Sequence, residues 1–80
     1  IPDFVAETDT TIYMVETKAR TDLIAQEVQA KAASAARWCK HASDHAIGVG
    51  TKPWKYLLLP HDEVVESKRL QDFARFEIKA

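Results

Sequence analysis

The chain has 80 residues and a formal net charge of −1. That length makes one small domain, burying only about two-thirds of its unfolded surface, and that charge excludes a global electrostatic pull toward nucleic acid. Its single cysteine excludes an internal disulfide and a four-cysteine zinc site, which fits a reducing, cytoplasmic setting, and no apolar run approaches the roughly 18 residues that a membrane span needs.

Ile1 to Glu7 reads as a first strand and Thr11 to Lys18 as a second. Between the β-prone runs Phe4-Val5-Ala6 and Ile12-Tyr13-Met14-Val15 lies polar Glu7-Thr8-Asp9-Thr10, suited to a tight turn. A two-residue turn centred on Asp9-Thr10 pairs Thr8 with Thr11, Val5 with Met14 and Asp3 with Glu16. Alternate side chains share a strand face, so Glu16 and Lys18 point the same way. Two carboxylates and an ammonium then meet on one face, a site for a hard divalent cation beside a positive charge.

Lys18-Ala19-Arg20 leads out of the hairpin. Thr21 or Asp22 can offer a capping oxygen to a helix running from about Asp22 to about Ser43. Ile24, Val28, Ala32, Ala35, Cys39 and Ala42 recur at helical spacing and define its buried stripe. Gly48, Gly50 and Pro53 mark a connection over residues 45–53. Gly48-Val49-Gly50-Thr51-Lys52 lacks the strand-before, helix-after setting of a phosphate loop and reads as a turn. Trp54 to Leu59 is the third strand, apolar on both faces as a covered central strand would be, and Pro60 ends it. A second helical stretch begins at His61-Asp62, with Val64, Val65, Leu70, Phe73 and Phe76 as core contacts and Ser67 as the cap of a separate helix. A helix linking the second and third strands makes them parallel. The fold class is mixed α/β (α+β): a hairpin–helix–strand–helix order with helices packed on a mixed sheet.

Competing chemistries are weaker. His41 and His45 stand one helical turn apart but lack a third ligand. Cys39 lies on the buried stripe without a partner base, as a small core residue does. Trp38 and Trp54 read as packing at the core or sheet edge.

Pro2-Asp3 followed by Glu16-x-Lys18 resembles the PD-(D/E)xK nuclease motif. Spacing alone carries little, since Glu66-Ser67-Lys68 and Glu77-Ile78-Lys79 also fit E-x-K; only the first copy has Pro-Asp upstream and an apolar strand beneath it. Lys31-Ala32-Ala33, Ala36-Arg37-Trp38-Cys39 and Trp54-Lys55-Tyr56-Leu57-Leu58-Leu59-Pro60 extend the likeness. Together they resemble the C-terminal endonuclease domain of type III restriction enzyme helicase subunits, over roughly residues 1–60. The resemblance implies a restriction-endonuclease-like core that lacks the family's first helix and strand, so residues 1–80 form one truncated domain. It implies Asp3, Glu16 and Lys18 as catalytic residues and Mg²⁺ or Mn²⁺ held by Asp3, Glu16 and the Thr17 carbonyl. Lys31 matches a family position for DNA phosphate or active-site contact, and Arg20 joins it as a local cation for nucleic acid. Implied partners are DNA, a helicase/ATPase domain of the same enzyme and a methyltransferase subunit; self-association through exposed sheet surface is a further expectation. An inactive nuclease-like interaction module and a small stand-alone repair or recombination nuclease remain the alternatives.

Overall fold

The computed structural model describes residues 3–64 and 69–80. Ile1, Pro2, Val65, Ser67 and the E-x-K copy at 66–68 lie outside the described residues. The architecture is α+β: strands β1 (Phe4–Glu7), β2 (Ile12–Lys18) and β3 (Trp54–Pro60) form one mixed sheet in the order β1-β2-β3. Helix α1 (Gln26–Val49) connects β2 to β3.

β1 and β2 pair antiparallel with Val5 opposite Met14 and Ala6 opposite Tyr13, the register set by a turn at Asp9-Thr10. The Thr8 N–H donates to the Thr11 carbonyl at 2.8 Å, and Thr8 Oγ1 accepts from the Thr10 and Thr11 amides at 3.3 and 3.1 Å. The threonine hydroxyl satisfies donors that the reversal exposes. β2 and β3 pair parallel, from Ile12 opposite Trp54 to Lys18 opposite Pro60, as a helical crossover requires.

β3 is buried on both faces, as its unbroken apolar run predicts. One face packs Val15, Leu57 and Leu59 against Phe73, with Tyr13, Leu70 and Phe76 around them. The other packs Tyr56 and Leu58 against Ala32 and Cys39 of α1, with Met14, Val28 and Ala35 beside them. Burial pushes the Cys39 thiol up to about 11, so it is protonated near neutral pH and is a core residue rather than a nucleophile.

Several expectations fail, each for a physical reason. α1 starts at Gln26, not near Asp22, and neither Thr21 nor Asp22 caps it. Arg20–Asp22 instead forms a 3₁₀ turn, held by Arg20, whose guanidinium donates to Asp62 at 2.7 and 2.9 Å. The Gln29 side chain bonds back to the Leu23 carbonyl. Ile24 therefore precedes the helix and is 85% exposed instead of lying on its stripe. The helix also outruns Ser43 and passes through Gly48, because Ala46 still packs inward at 3% exposure. It stops at Gly50, whose φ of 74° is the left-handed conformation that glycine adopts without a Cβ clash. The buried stripe is Ala32, Ala36, Cys39 and Ala46; Ala42 is only half-buried.

Ser43 has a different role from the expected helix end. Its hydroxyl accepts from the Trp54 amide and donates to the Trp54 carbonyl, both at 2.8 Å, pinning α1 to the start of β3. The second helical stretch is 3₁₀ instead of α, over His61–Glu63 and Leu70–Phe76, and Val64 is 48% exposed. Beyond it, the Ile78 N–H donates to the Tyr56 carbonyl at 3.0 Å, so Glu77–Ile78 covers part of the outer edge of β3. Among the described residues no helix is long and apolar enough to cross a membrane.

Candidate functional site

The site lies where the C-terminal half of β2 passes under the N-terminal half of α1. Met14 packs toward α1, so strand alternation puts Glu16 and Lys18 on that same face. Sheet and helix part there to leave a cavity of about 720 Å³. Glu16, Lys18, Met14 and Tyr56 line it from the sheet, and Glu27, Lys31, Ser34 and Trp38 are among the helix residues that close it. Small Ala35 on the helix keeps the space open. The sequence-predicted Glu16, Lys18 and Lys31 are thus brought to one cavity.

Tyr56 is the residue that sequence reasoning took only for core. It is 1% exposed and stands opposite Met14, two pairs before the Glu16–Leu58 pair and so on the same face as Glu16. Burial raises its phenol far above the usual tyrosine value; the neighbouring Glu16 charge and a hydrogen bond with Glu16 add to that, and Asp3 contributes a smaller electrostatic push. The phenol therefore stays protonated, with the Glu16 carboxylate as its charged neighbour. The signal was available: Tyr56 shares the face of Glu16 once β2 and β3 are paired in parallel.

Asp3 sits just before β1 begins and is exposed. Its N–H donates to the Val15 carbonyl at 3.0 Å, the residue that Phe4 already opposes. The ladder slips there by one residue, in the manner of a bulge that re-aims a side chain, so the expected pairing of Asp3 with Glu16 does not form: the register starts at Phe4 opposite Val15. Asp3 Oδ2 accepts from the Thr17 amide at 2.7 Å and from Thr17 Oγ1 at 2.8 Å. These bonds, the backbone one foremost, hold the Asp3 carboxyl below its ordinary value, and the Lys18 and His61 charges act the same way. Asp3 thus stands within electrostatic reach of both Lys18 and Tyr56. Thr17, expected to contribute its carbonyl, is seen through its N–H and hydroxyl, both turned to Asp3. His61 is a second neighbour that the sequence reading left as a surface residue.

The folded state binds the Asp3 proton less readily than the unfolded chain does. The Thr17 bonds therefore contribute fully above the unfolded value of 3.8 and are lost as pH falls through the lower folded value. A carboxyl-carbon NMR titration of Asp3 is expected to show a midpoint below 3.8, moving upward in Thr17→Val. A wild-type midpoint at or above 3.8 contradicts this arrangement.

The remaining candidates separate from this cluster. Arg20 is engaged by Asp62 and lies 3.9 Å from Glu63, an exposed pair away from the cavity lining. Lys52 of the glycine-rich stretch pairs with Glu7 and donates to the Thr8 carbonyl, which ties the hairpin turn to the end of the α1–β3 connection. His41 and His45 are exposed, and among the described residues no group of three or more His, Cys, Asp or Glu side chains is placed to hold a metal. Mg²⁺ takes hard oxygen ligands and keeps several waters of its own, and Asp3 and Glu16 are donors of that kind; Asp3, however, is not among the residues lining the cavity that holds Glu16, and its Oδ2 is bonded to Thr17, whose side chain strand alternation puts on the face opposite Glu16.

Comparison of the chain with protein-family models, with curated proteins and with solved structures found no match.

Proposed function

We propose that this chain is a metal-dependent endonuclease domain that hydrolyses DNA phosphodiesters, built on a restriction-endonuclease-like core. The observation that carries this reading is the shared cavity of Glu16, Lys18 and Lys31, with Asp3 near enough for the Lys18 charge to lower it and for its own charge to raise Tyr56 beside Glu16. Asp3, Glu16 and the Thr17 carbonyl would hold Mg²⁺ or Mn²⁺. When bound, such an ion polarises a phosphate and lowers the pKa of a bound water. The protein's own contribution is orientation and charge. Tyr56, buried beside Glu16, would offer its phenol proton to that carboxylate. The Lys18 ammonium orients the attacking water or offsets charge that builds on the phosphate oxygens. Lys31, across the cavity on α1, takes a neighbouring phosphate as a point charge, and Arg20 would add a second contact only by leaving Asp62.

By resemblance the domain belongs to a type III restriction enzyme. Its partners would be DNA, a helicase/ATPase domain of the same enzyme and a methyltransferase subunit, in the cytoplasm. The uncovered edge strand β1, with Phe4 46% and Val5 53% exposed, favours self-association. One observation favours the inactive interaction module instead: Asp3 Oδ2 already accepts two short bonds from Thr17. The deciding experiment is incubation of the wild-type chain with duplex DNA and Mg²⁺, beside Glu16→Gln. Cleavage by the first and not by the second supports the nuclease; no cleavage by either favours the module.

A further inference from the structure

The cavity carries a feature that phosphodiester hydrolysis alone does not use, the half-exposed indole of Trp38. We propose that the groove between β2 and α1 binds one unpaired nucleotide of a single strand, its base against Trp38 and its phosphate at Lys31. The phosphate half rests on the reading above; the base half does not.

Lys31, Ser34 and Trp38 stand at i, i+3 and i+7 of α1 and all line the cavity. That spacing makes one helical stripe. Lys31 and Trp38 are about 10 Å apart along the axis at the usual rise, a span that a nucleotide bridges from phosphate to base. A buried tryptophan would fill the space beside Ala35; Trp38 is instead 51% exposed. It is also held in place. Its ring meets Trp54 edge-on, with centroids 5.1 Å apart and planes at 90°. A braced, open indole is a platform for a flat aromatic partner and loses little freedom on binding. The volume of about 720 Å³ falls within the roughly 300–1,000 Å³ of small-ligand sites. Met14, Val28 and Ala35 give the walls an apolar middle, suited to a base; Lys18 and Lys31 line the same groove together with Glu16 and Glu27, so the phosphate contact falls to the single Lys31 ammonium rather than to a cationic surface. Stacking requires a base that has left its duplex, so the groove selects an unpaired segment and does so without regard to sequence.

The test uses the full chain, oligothymidylate as probe, and chelator to exclude divalent ions. Trp54→Phe leaves Trp38 as the sole tryptophan, and its emission is titrated. The Trp38 indole N–H resonance of the wild-type chain gives the same readout with no substitution. Saturable quenching is expected, with a matched duplex at least about tenfold weaker. Trp38→Ala should weaken binding by about five- to a hundredfold, the range for losing one stacked base. Lys31→Ala should lower the slope of log affinity against log salt by about 0.7, the value for one single-strand phosphate. Absence of saturable change at Trp38, or equal binding of the duplex, overturns the proposal. An unchanged salt slope in Lys31→Ala overturns the assignment of the phosphate to Lys31. The two readings fail separately. Cleavage that depends on Glu16 with no response at Trp38 removes only the nucleotide groove. Saturable binding by a chain that never cleaves removes only the nuclease.

Discussion

Glu16→Gln is expected to reduce Mg²⁺-dependent DNA cleavage at least about a hundredfold while leaving the melting temperature within a few degrees of wild type. The substitution keeps the shape of the side chain and an oxygen facing Tyr56, so the cavity walls persist. What it removes is the negative charge. A neutral amide is a poor ligand for Mg²⁺, which prefers charged, hard oxygens, and with Glu16 neutral the proposed ion loses one of its two carboxylate ligands. A hundredfold loss corresponds to about 2.7 kcal/mol of transition-state stabilisation, the size measured when one electrostatic group is deleted from a catalytic site. A raised KM with an unchanged turnover number would mean that Glu16 contributes uniform binding instead of acting on the reacting phosphate.

Leu57→Ala should cost about 3 kcal/mol of stability. Leu57 is 0% exposed and sits among Val15, Leu59 and Phe73. Truncation there loses the transfer free energy of the removed carbons and leaves a cavity, a combination worth about 2–5 kcal/mol for leucine. The neighbours limit relaxation, because Val15 and Leu59 lie on paired strands that cannot collapse inward without breaking the ladder. A domain of this size has about 4–12 kcal/mol in total, so the variant forfeits a large share of it. Urea unfolding measures the change directly. A loss under about 1 kcal/mol would mean that the 3₁₀ segment carrying Phe73 is not packed on this face as described.

The parts of this fold that sequence revealed are those governed by short-range rules. A two-residue turn at Asp9-Thr10 sets the register of the hairpin, and Val5 does lie opposite Met14, but the pairing ends at Phe4 with Val15 and does not bring Asp3 opposite Glu16. The crossover through a helix dictated the parallel pairing, and the apolar run at Tyr56–Leu59 announced a strand covered on both faces. What escaped depends on contacts between distant residues. α1 starts only after a 3₁₀ turn at Arg20–Asp22 whose arginine meets Asp62, 42 positions away, an arrangement that no capping rule anticipates. Ser43 looked like a helix terminus because its partner, Trp54, lies across a connection. Phe73 and Phe76 read as a helical face, but the segment from Leu70 follows 3₁₀ geometry and buries the same rings by another route. At the site, Glu16 and Lys18 were legible from alternation alone. Tyr56 was legible only after pairing β2 with β3, and the anchoring of Asp3 on Thr17 depends on a one-residue slip at the strand end that the paired pattern hides.

The most direct test of the central claim is a Mn²⁺ titration of the wild-type chain, followed by paramagnetic broadening of the side-chain carboxyl resonances. The two carboxylates are expected to broaden together at a single stoichiometric equivalent, Asp3 with Glu16, while exposed acids such as Asp9 and Asp44 stay sharp. Broadening at Glu16 without Asp3, or spread evenly over the surface carboxylates, would contradict a shared ion and the hydrolytic chemistry built on it.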